Sequence, residues 1–244
     1  MAVATPLYNF FVGLGVALAA VMFQRRVFAR FESPRDRERA LLLLLPALPA
    51  AAVGSWLFDR IMGASSGPVL PLRGLAFYGG LIGALATVVA IAPIARVPLL
   101  RVLDAGAPCI ALGHAIGRIG CGVAGCCFGH PVGEHSLWHS MGFARVPTQW
   151  LESAVLFVLC AVLLVADEKR RDLRNGDLAA FYLAGYAGIR IVMETMRDDA
   201  RGALPAMPAM LSPSQWVAIA MLAVASGIAL TRARRTTRFE GVAA

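Results

Sequence analysis

Charge is what this sequence lacks most. Only 16% of its 244 residues are Asp, Glu, Lys or Arg, against 58% hydrophobic residues. Soluble domains run nearer a quarter charged, so this scarcity argues against a soluble globular protein. Long polar stretches are scarce as well. The longest, about Arg118–Thr148, is too short for an independent domain, and there is no linker, repeat or low-complexity tract. No Lys or Arg precedes Gln24, and no small-residue cleavage pattern follows the first apolar run, so the N-terminus does not read as a secretory signal.

What is present is a series of apolar runs. A helix needs about 20 apolar residues to cross the hydrocarbon core. Runs near that length lie at Leu7–Phe23, Ala40–Phe58, Gly74–Ala95, Leu99–Ile116, Gln149–Ala166, Leu178–Met193 and Leu211–Leu230. The expectation is an all-α integral membrane protein of seven transmembrane helices, with one membrane domain over residues 1–244.

The basic residues predict its orientation. Alternate segments hold Arg25, Arg26, Arg30, Arg35, Arg37 and Arg39, then Arg96 and Arg101, then Lys169, Arg170, Arg171 and Arg174, and finally Arg232, Arg234, Arg235 and Arg238. The opposite side has only Arg60, Arg73, Arg118, Arg145, Arg190, Arg197 and Arg201. The positive-inside rule then puts the N-terminus outside and the C-terminus in the cytoplasm of a bacterial inner membrane. The net charge of +8 is mostly this topology signal, and it suits an anionic lipid surface better than nucleic acid.

The minority arginines are the candidates for function, because charge inside a bilayer is costly. From Leu178, Arg190 lies about 18 Å along the helix axis, past the middle of a core about 30 Å thick. Tyr186, Arg190 and Glu194 share one face at i, i+4, i+8, and Arg197 extends it. From Leu99, Arg118 lies about 28 Å along its own helix, near the outer surface. Tyr78 is one turn in from the outer side, and Gln149 and Glu152 open the fifth helix. A structural ion pair of Arg190 with Glu194 is the plainer reading of the sixth helix alone. Agreement in depth among four helices favours a cavity for an anionic phospholipid headgroup, since arginine offers phosphate a planar fork of donors.

These residues fall in ordered motifs: Phe77-Tyr78-Gly79-Gly80-Leu81-Ile82-Gly83, Gly117-Arg118-Ile119-Gly120, Pro147-Thr148-Gln149-Trp150-Leu151-Glu152, Gly185-Tyr186-Ala187-Gly188-Ile189-Arg190 with Glu194 and Arg197, and Ser214-Gln215. Over about residues 70–220 the set resembles the prolipoprotein diacylglyceryl transferases. The resemblance implies transfer of a diacylglyceryl group from phosphatidylglycerol to the lipobox cysteine thiol of a secreted precursor, releasing glycerol phosphate, with no metal or soluble cofactor. It implies catalytic roles for Arg118, Arg190 and Tyr78. Arg118 and Arg190 would hold the phosphate, Tyr186 and Glu194 would orient Arg190 and the headgroup, and Gln149 and Glu152 would shape the pocket. Two alternatives stay open: a paralogue using the same lipid site with another acceptor, and a lipid-binding or transport protein without chemistry.

The sequence departs from the family pattern at Tyr78, where histidine is usual, and at Cys121, Ala124 and Cys126, where the family carries Asn, Asn and Glu. Cys109 and Cys160 read as small apolar packers within helices. Cys121, Cys126 and Cys127 leave three readings open: a Cys121–Cys126 or Cys121–Cys127 disulfide or simple packing, a reactive thiol at Cys126 or Cys127 activated by Arg118, or a metal site of Cys126 and Cys127 with His130, His135 and His139. That last spacing matches no standard zinc finger, so no metal is assigned. His114, inside the fourth helix, reads as a hydrogen-bonder within the bundle.

Overall fold

The computed structural model describes residues 4–61, 77–169, 173–198 and 211–240. Among them the chain is helical, with α1 at Ala4–Arg30, α2 at Pro34–Leu42, α3 at Leu44–Ile61, α4 at Phe77–Ile94 and α5 at Leu99–Ala124. A single turn, α6 at Leu137–Ser140, precedes α7 at Thr148–Lys169, α8 at Asp177–Thr195 and α9 at Pro213–Glu240. The extended pairing in the described residues amounts to isolated bridges, Gly129 with Arg197 and Pro131 with Arg145, which tie the loop after α5 to the end of α8 and back onto itself.

Among the described residues, six stretches are long and apolar enough to cross a bilayer: Pro6–Arg30, Pro34–Ile61, Phe77–Ile94, Leu99–Ala124, Thr148–Lys169 and Pro213–Leu230. The seventh expected segment forms α8, 19 residues long, but its polar residues leave it outside this group. The stripe of Tyr186, Arg190 and Glu194 that singles the helix out is also what dilutes its apolar character. The first basic segment is not a loop. Arg25, Arg26 and Arg30 ride on the last turns of α1, and Arg35, Arg37 and Arg39 on α2. Arg73, Arg170, Arg171 and Arg201 lie outside the described residues.

α5 is the hub. It packs against α1, α7 and α8, while α3 pairs with α4 and α8 with α9. Burial agrees, with 56% of the α5 span covered against at most 33% for the other candidate spans. Large apolar side chains face outward around the bundle, such as Leu45 at 70% and Val158 at 60% exposure. Asp104, His114, Arg118, Gln149, Glu152 and Arg190 are buried. Apolar outside and polar within is the arrangement a bilayer requires.

Small residues bring the helices close. A Cβ on Gly79 would run into the carbonyl of Gly54, and one on Gly83 into that of Ala50, so α3 and α4 meet backbone to backbone. A Cβ on Gly15 would stand 2.7 Å from the Gly113 carbonyl, the same device between α1 and α5. Without a hydrophobic drive between helices in lipid, such close packing supplies the association energy.

One end of the bundle is locked by charge. Pro108 has no N–H to offer the Asp104 carbonyl one turn earlier. Arg26 donates to that carbonyl at 3.3 Å and to Ala105 O at 3.0 Å. The Asp104 carboxylate accepts from Gly176 N at 2.5 Å and Ala179 N at 3.0 Å, capping the start of α8. Arg26 and Arg30 both pair with Asp167. The far end of α5 and α8 is thereby set at a fixed register.

A buried arginine pair around Glu152

At that far end, α4, α5, α7, α8 and α9 each contribute a polar side chain to one cluster. Glu152, fully buried on α7, stands at its centre. Arg118 Nη2 from α5 reaches its two oxygens at 3.0 and 2.9 Å. Arg190 Nη1 from α8 reaches them at 3.3 and 3.2 Å. Two guanidiniums thus share one carboxylate in a place that excludes water. Each ion there depends on the others, since an unpaired buried charge is expensive.

Arg190 spends its whole fork. Its Nε donates to the Tyr78 hydroxyl at 2.8 Å, and its Nη2 to Glu194 Oε2 at 2.8 Å and Ser214 Oγ at 2.9 Å. Arg118 does not. Its Nε is buried with no hydrogen-bond partner among the described residues. The two arginines that look alike in the sequence are therefore unlike in place: one is saturated, the other has a donor edge to spare.

The structure gathers Tyr78, Arg118, Glu152, Arg190 and Glu194 into one cluster. Tyr186 joins through its ring, with centroids 5.4 Å from Phe77, 5.1 Å from His114 and 5.9 Å from Tyr182. Gln149 goes elsewhere. Its Nε2 donates to the Cys126 carbonyl at 2.6 Å, and neighbouring Thr148 Oγ1 donates to the Cys127 carbonyl at 2.7 Å. The first turn of α7 thereby fixes the cysteine loop. Ser214 is a member that the depth argument missed. Its only sequence signal was its place in the last motif.

His114 also differs from expectation. Neither ring nitrogen has a hydrogen-bond partner among the described residues. The ring stacks on Phe77 at 3.6 Å, with Nε2 3.9 Å from Glu152 Oε1. Stacking, not hydrogen bonding, holds it, because neighbouring aromatic rings surround it.

Beside this cluster, α5 ends in a Schellman turn. Gly125 takes the left-handed conformation at φ 67°, its N–H meets Gly122 O, and Cys126 N meets Cys121 O at 3.2 Å. Cys127 follows with φ 64°, a strained value for a residue with a side chain. The Cys121, Cys126 and Cys127 sulfurs converge within 4.8 Å of one another, and all three are unbridged. Hydrogen bonds from Cys121 and Cys126 hold the Cys127 thiol far below its usual range against burial, and the charges of Arg197 and Arg118 add to this. The same hydrogen bonding pushes Cys126 above its usual range.

The sequence also has relatives. A protein of Verminephrobacter eiseniae named phosphatidylglycerol–prolipoprotein diacylglyceryl transferase is 36% identical over 62% of this chain and 56% of its own length. One of the same name from Finegoldia magna is 32% identical over 79% of each chain. Another, from Dehalococcoides mccartyi, is 28% identical over 91% of this chain and 89% of its own. The chain thus spans little more than half the length of the first relative and most of the other two. The family model described as prolipoprotein diacylglyceryl transferase matches residues 2–231, and this chain belongs to that family.

Proposed function

We propose that this protein transfers the diacylglyceryl group of phosphatidylglycerol to the lipobox cysteine thiol of secreted lipoprotein precursors, within the bacterial inner membrane. In this reading α8 is a seventh crossing, the N-terminus is outside, the C-terminus is cytoplasmic, and the Glu152 cluster opens toward the outer leaflet. The observation that carries it is the spare donor edge of Arg118 beside a buried arginine–carboxylate cluster. The names of the relatives supply the substrates.

The chemistry follows from the bonds involved. The acceptor sulfur forms a C–S bond to the glyceryl carbon as that carbon's bond to the phosphate oxygen breaks. Glycerol phosphate leaves with the electron pair, and the thiol proton balances its new charge. Negative charge grows on the leaving phosphate, so a preplaced guanidinium helps most in the transition state. One such donor is worth about 3–4 kcal/mol. Arg118, whose buried Nε has no hydrogen-bond partner among the described residues, is the guanidinium assigned to the phosphate. Arg190, held by Tyr78, Glu152, Glu194 and Ser214, fixes the wall against which the headgroup lies and keeps positive charge near it. Gln149 acts at one remove, by holding the cysteine loop beside the cluster.

The test is rescue. Expressed in cells depleted of their own transferase, the chain should restore diacylglyceryl modification of a reporter lipoprotein. Normal membrane insertion with no modified reporter would refute the reading.

A further inference from the structure

Three thiols, Cys121, Cys126 and Cys127, meet at the end of α5, and the transfer reaction has no use for them. Their approach is built by the backbone. The Schellman turn folds Cys126 back over Cys121, and a second left-handed residue, Cys127, folds the chain again. Non-glycine residues hold that conformation only where the surrounding structure fixes them in it. Here Gln149 and Thr148 clamp the carbonyls of Cys126 and Cys127 at 2.6 and 2.7 Å. A loop that only needed to pack small residues would not require two clamps on a strained backbone.

We propose that Cys121, Cys126 and Cys127 form a three-thiolate site for one thiophilic d10 cation, zinc or copper(I). Sulfurs bound to such an ion at about 2.3 Å stand roughly 3.8–4.0 Å apart, in tetrahedral or trigonal geometry. The three sulfurs already lie within 4.8 Å of one another, so closure needs only small side-chain rotations. Thiolate ligands select these soft ions over magnesium or calcium. Half-burial of all three residues leaves a route for the ion. Three thiolates around a mono- or divalent ion leave net negative charge, and Arg118 and Arg197 act electrostatically on the cluster to offset it. Binding replaces three S–H bonds by three S–metal bonds and releases up to three protons, with no change of oxidation state. The histidines beyond, His130, His135 and His139, are not required.

The experiment uses the full chain, purified in detergent, reduced and stripped with chelator under anaerobic conditions. Zinc is titrated against a chromophoric zinc chelator, and copper(I) against a copper(I) chelator. Cadmium serves as an optical reporter of sulfur ligation. Expected are one ion per chain, an ultraviolet sulfur-to-cadmium band, and X-ray absorption showing three sulfurs at about 2.3 Å on the bound ion. Cys121→Ser, Cys126→Ser and Cys127→Ser should each weaken binding at least tenfold or so, no less than outer-shell changes cost at metal sites. Cys160→Ala, on a buried helix face elsewhere, should bind as wild type. The absorption measurement on the wild-type protein stands even if a serine variant fails to fold. Neither ion bound, an ion ligated by nitrogen or oxygen, or a disulfide among the three in protein isolated without reductant would each overturn the proposal. All three readouts are independent of transferase activity.

Discussion

Glu152 is the residue on which the ionic cluster balances. It is one fully buried carboxylate between two guanidiniums. Glu152→Gln leaves Arg118 and Arg190 facing each other with their shared counter-charge gone, and breaking a buried pair this way costs about 3–5 kcal/mol. The expected outcome is loss of folded protein, read as a collapse of the monodisperse peak in detergent chromatography. The arginines should separate more finely. Arg118→Lys keeps the charge but loses the fork and the spare Nε donor, so transferase activity should fall by roughly a hundredfold or more with stability little changed. Arg190→Lys cannot reach Tyr78, Glu152, Glu194 and Ser214 together, so it should lose both activity and thermal stability. Glu194→Gln, which removes one of those four partners and keeps an acceptor, should weaken activity less than either. Measured rates and melting temperatures of these variants check the order. If Arg118→Lys works like wild type, Arg118 does not hold the phosphate.

Among the helices, the α3–α4 pair and the start of α8 make different demands. α3 and α4 touch through Gly54, Gly79 and Gly83, where any Cβ meets backbone. Gly79→Val should separate the pair and, since Tyr78 rides on the same turn, displace the phenol from Arg190 Nε. A drop of several degrees in melting temperature with a matching fall in activity is the expected result. At α8 the register is set by Asp104 accepting from Gly176 N and Ala179 N. Asp104→Ala removes that cap and should destabilise the protein by about 1–2 kcal/mol, the usual cost of a lost N-cap, and more where the freed N–H groups stay buried. A urea or thermal melt of the purified variant reads it directly.

Across the whole molecule, the buried charges gather at two opposite ends of the bundle. The basic residues of α1 and α2 sit at the end where Asp104 and Asp167 collect Arg26 and Arg30, and the Glu152 cluster lies at the other. The seven-crossing topology proposed above predicts opposite locations for two reporters. A reporter active only outside the cytoplasm should be silent after Ala244 and active in the Glu134–Leu137 loop. The reverse pattern would put the Glu152 cluster on the wrong leaflet for a secreted acceptor.

Membrane class, the approximate helices, and the grouping of Tyr78, Arg118, Glu152, Arg190 and Glu194 were legible in the sequence by itself. Length, apolarity and rise per residue depend only on the chain and the bilayer. The sequence motifs also carried the family. Tertiary structure alone decided who touches whom. It made Glu152 the centre rather than part of a wall, turned Gln149 toward the cysteine loop, recruited Ser214 and stacked His114 on Phe77. It also saturated Arg190 while leaving the Arg118 Nε without a partner among the described residues. Spacing along a helix gives depth and face, but a hydrogen bond also needs the rotation and distance of the neighbouring helix. Those are set by glycine contacts and caps that belong to pairs of elements. The convergence of Cys121, Cys126 and Cys127 is the sharpest instance. Their spacing resembles no metal motif, and it is the left-handed turns at Gly125 and Cys127, on either side of Cys126, that bring the sulfurs together.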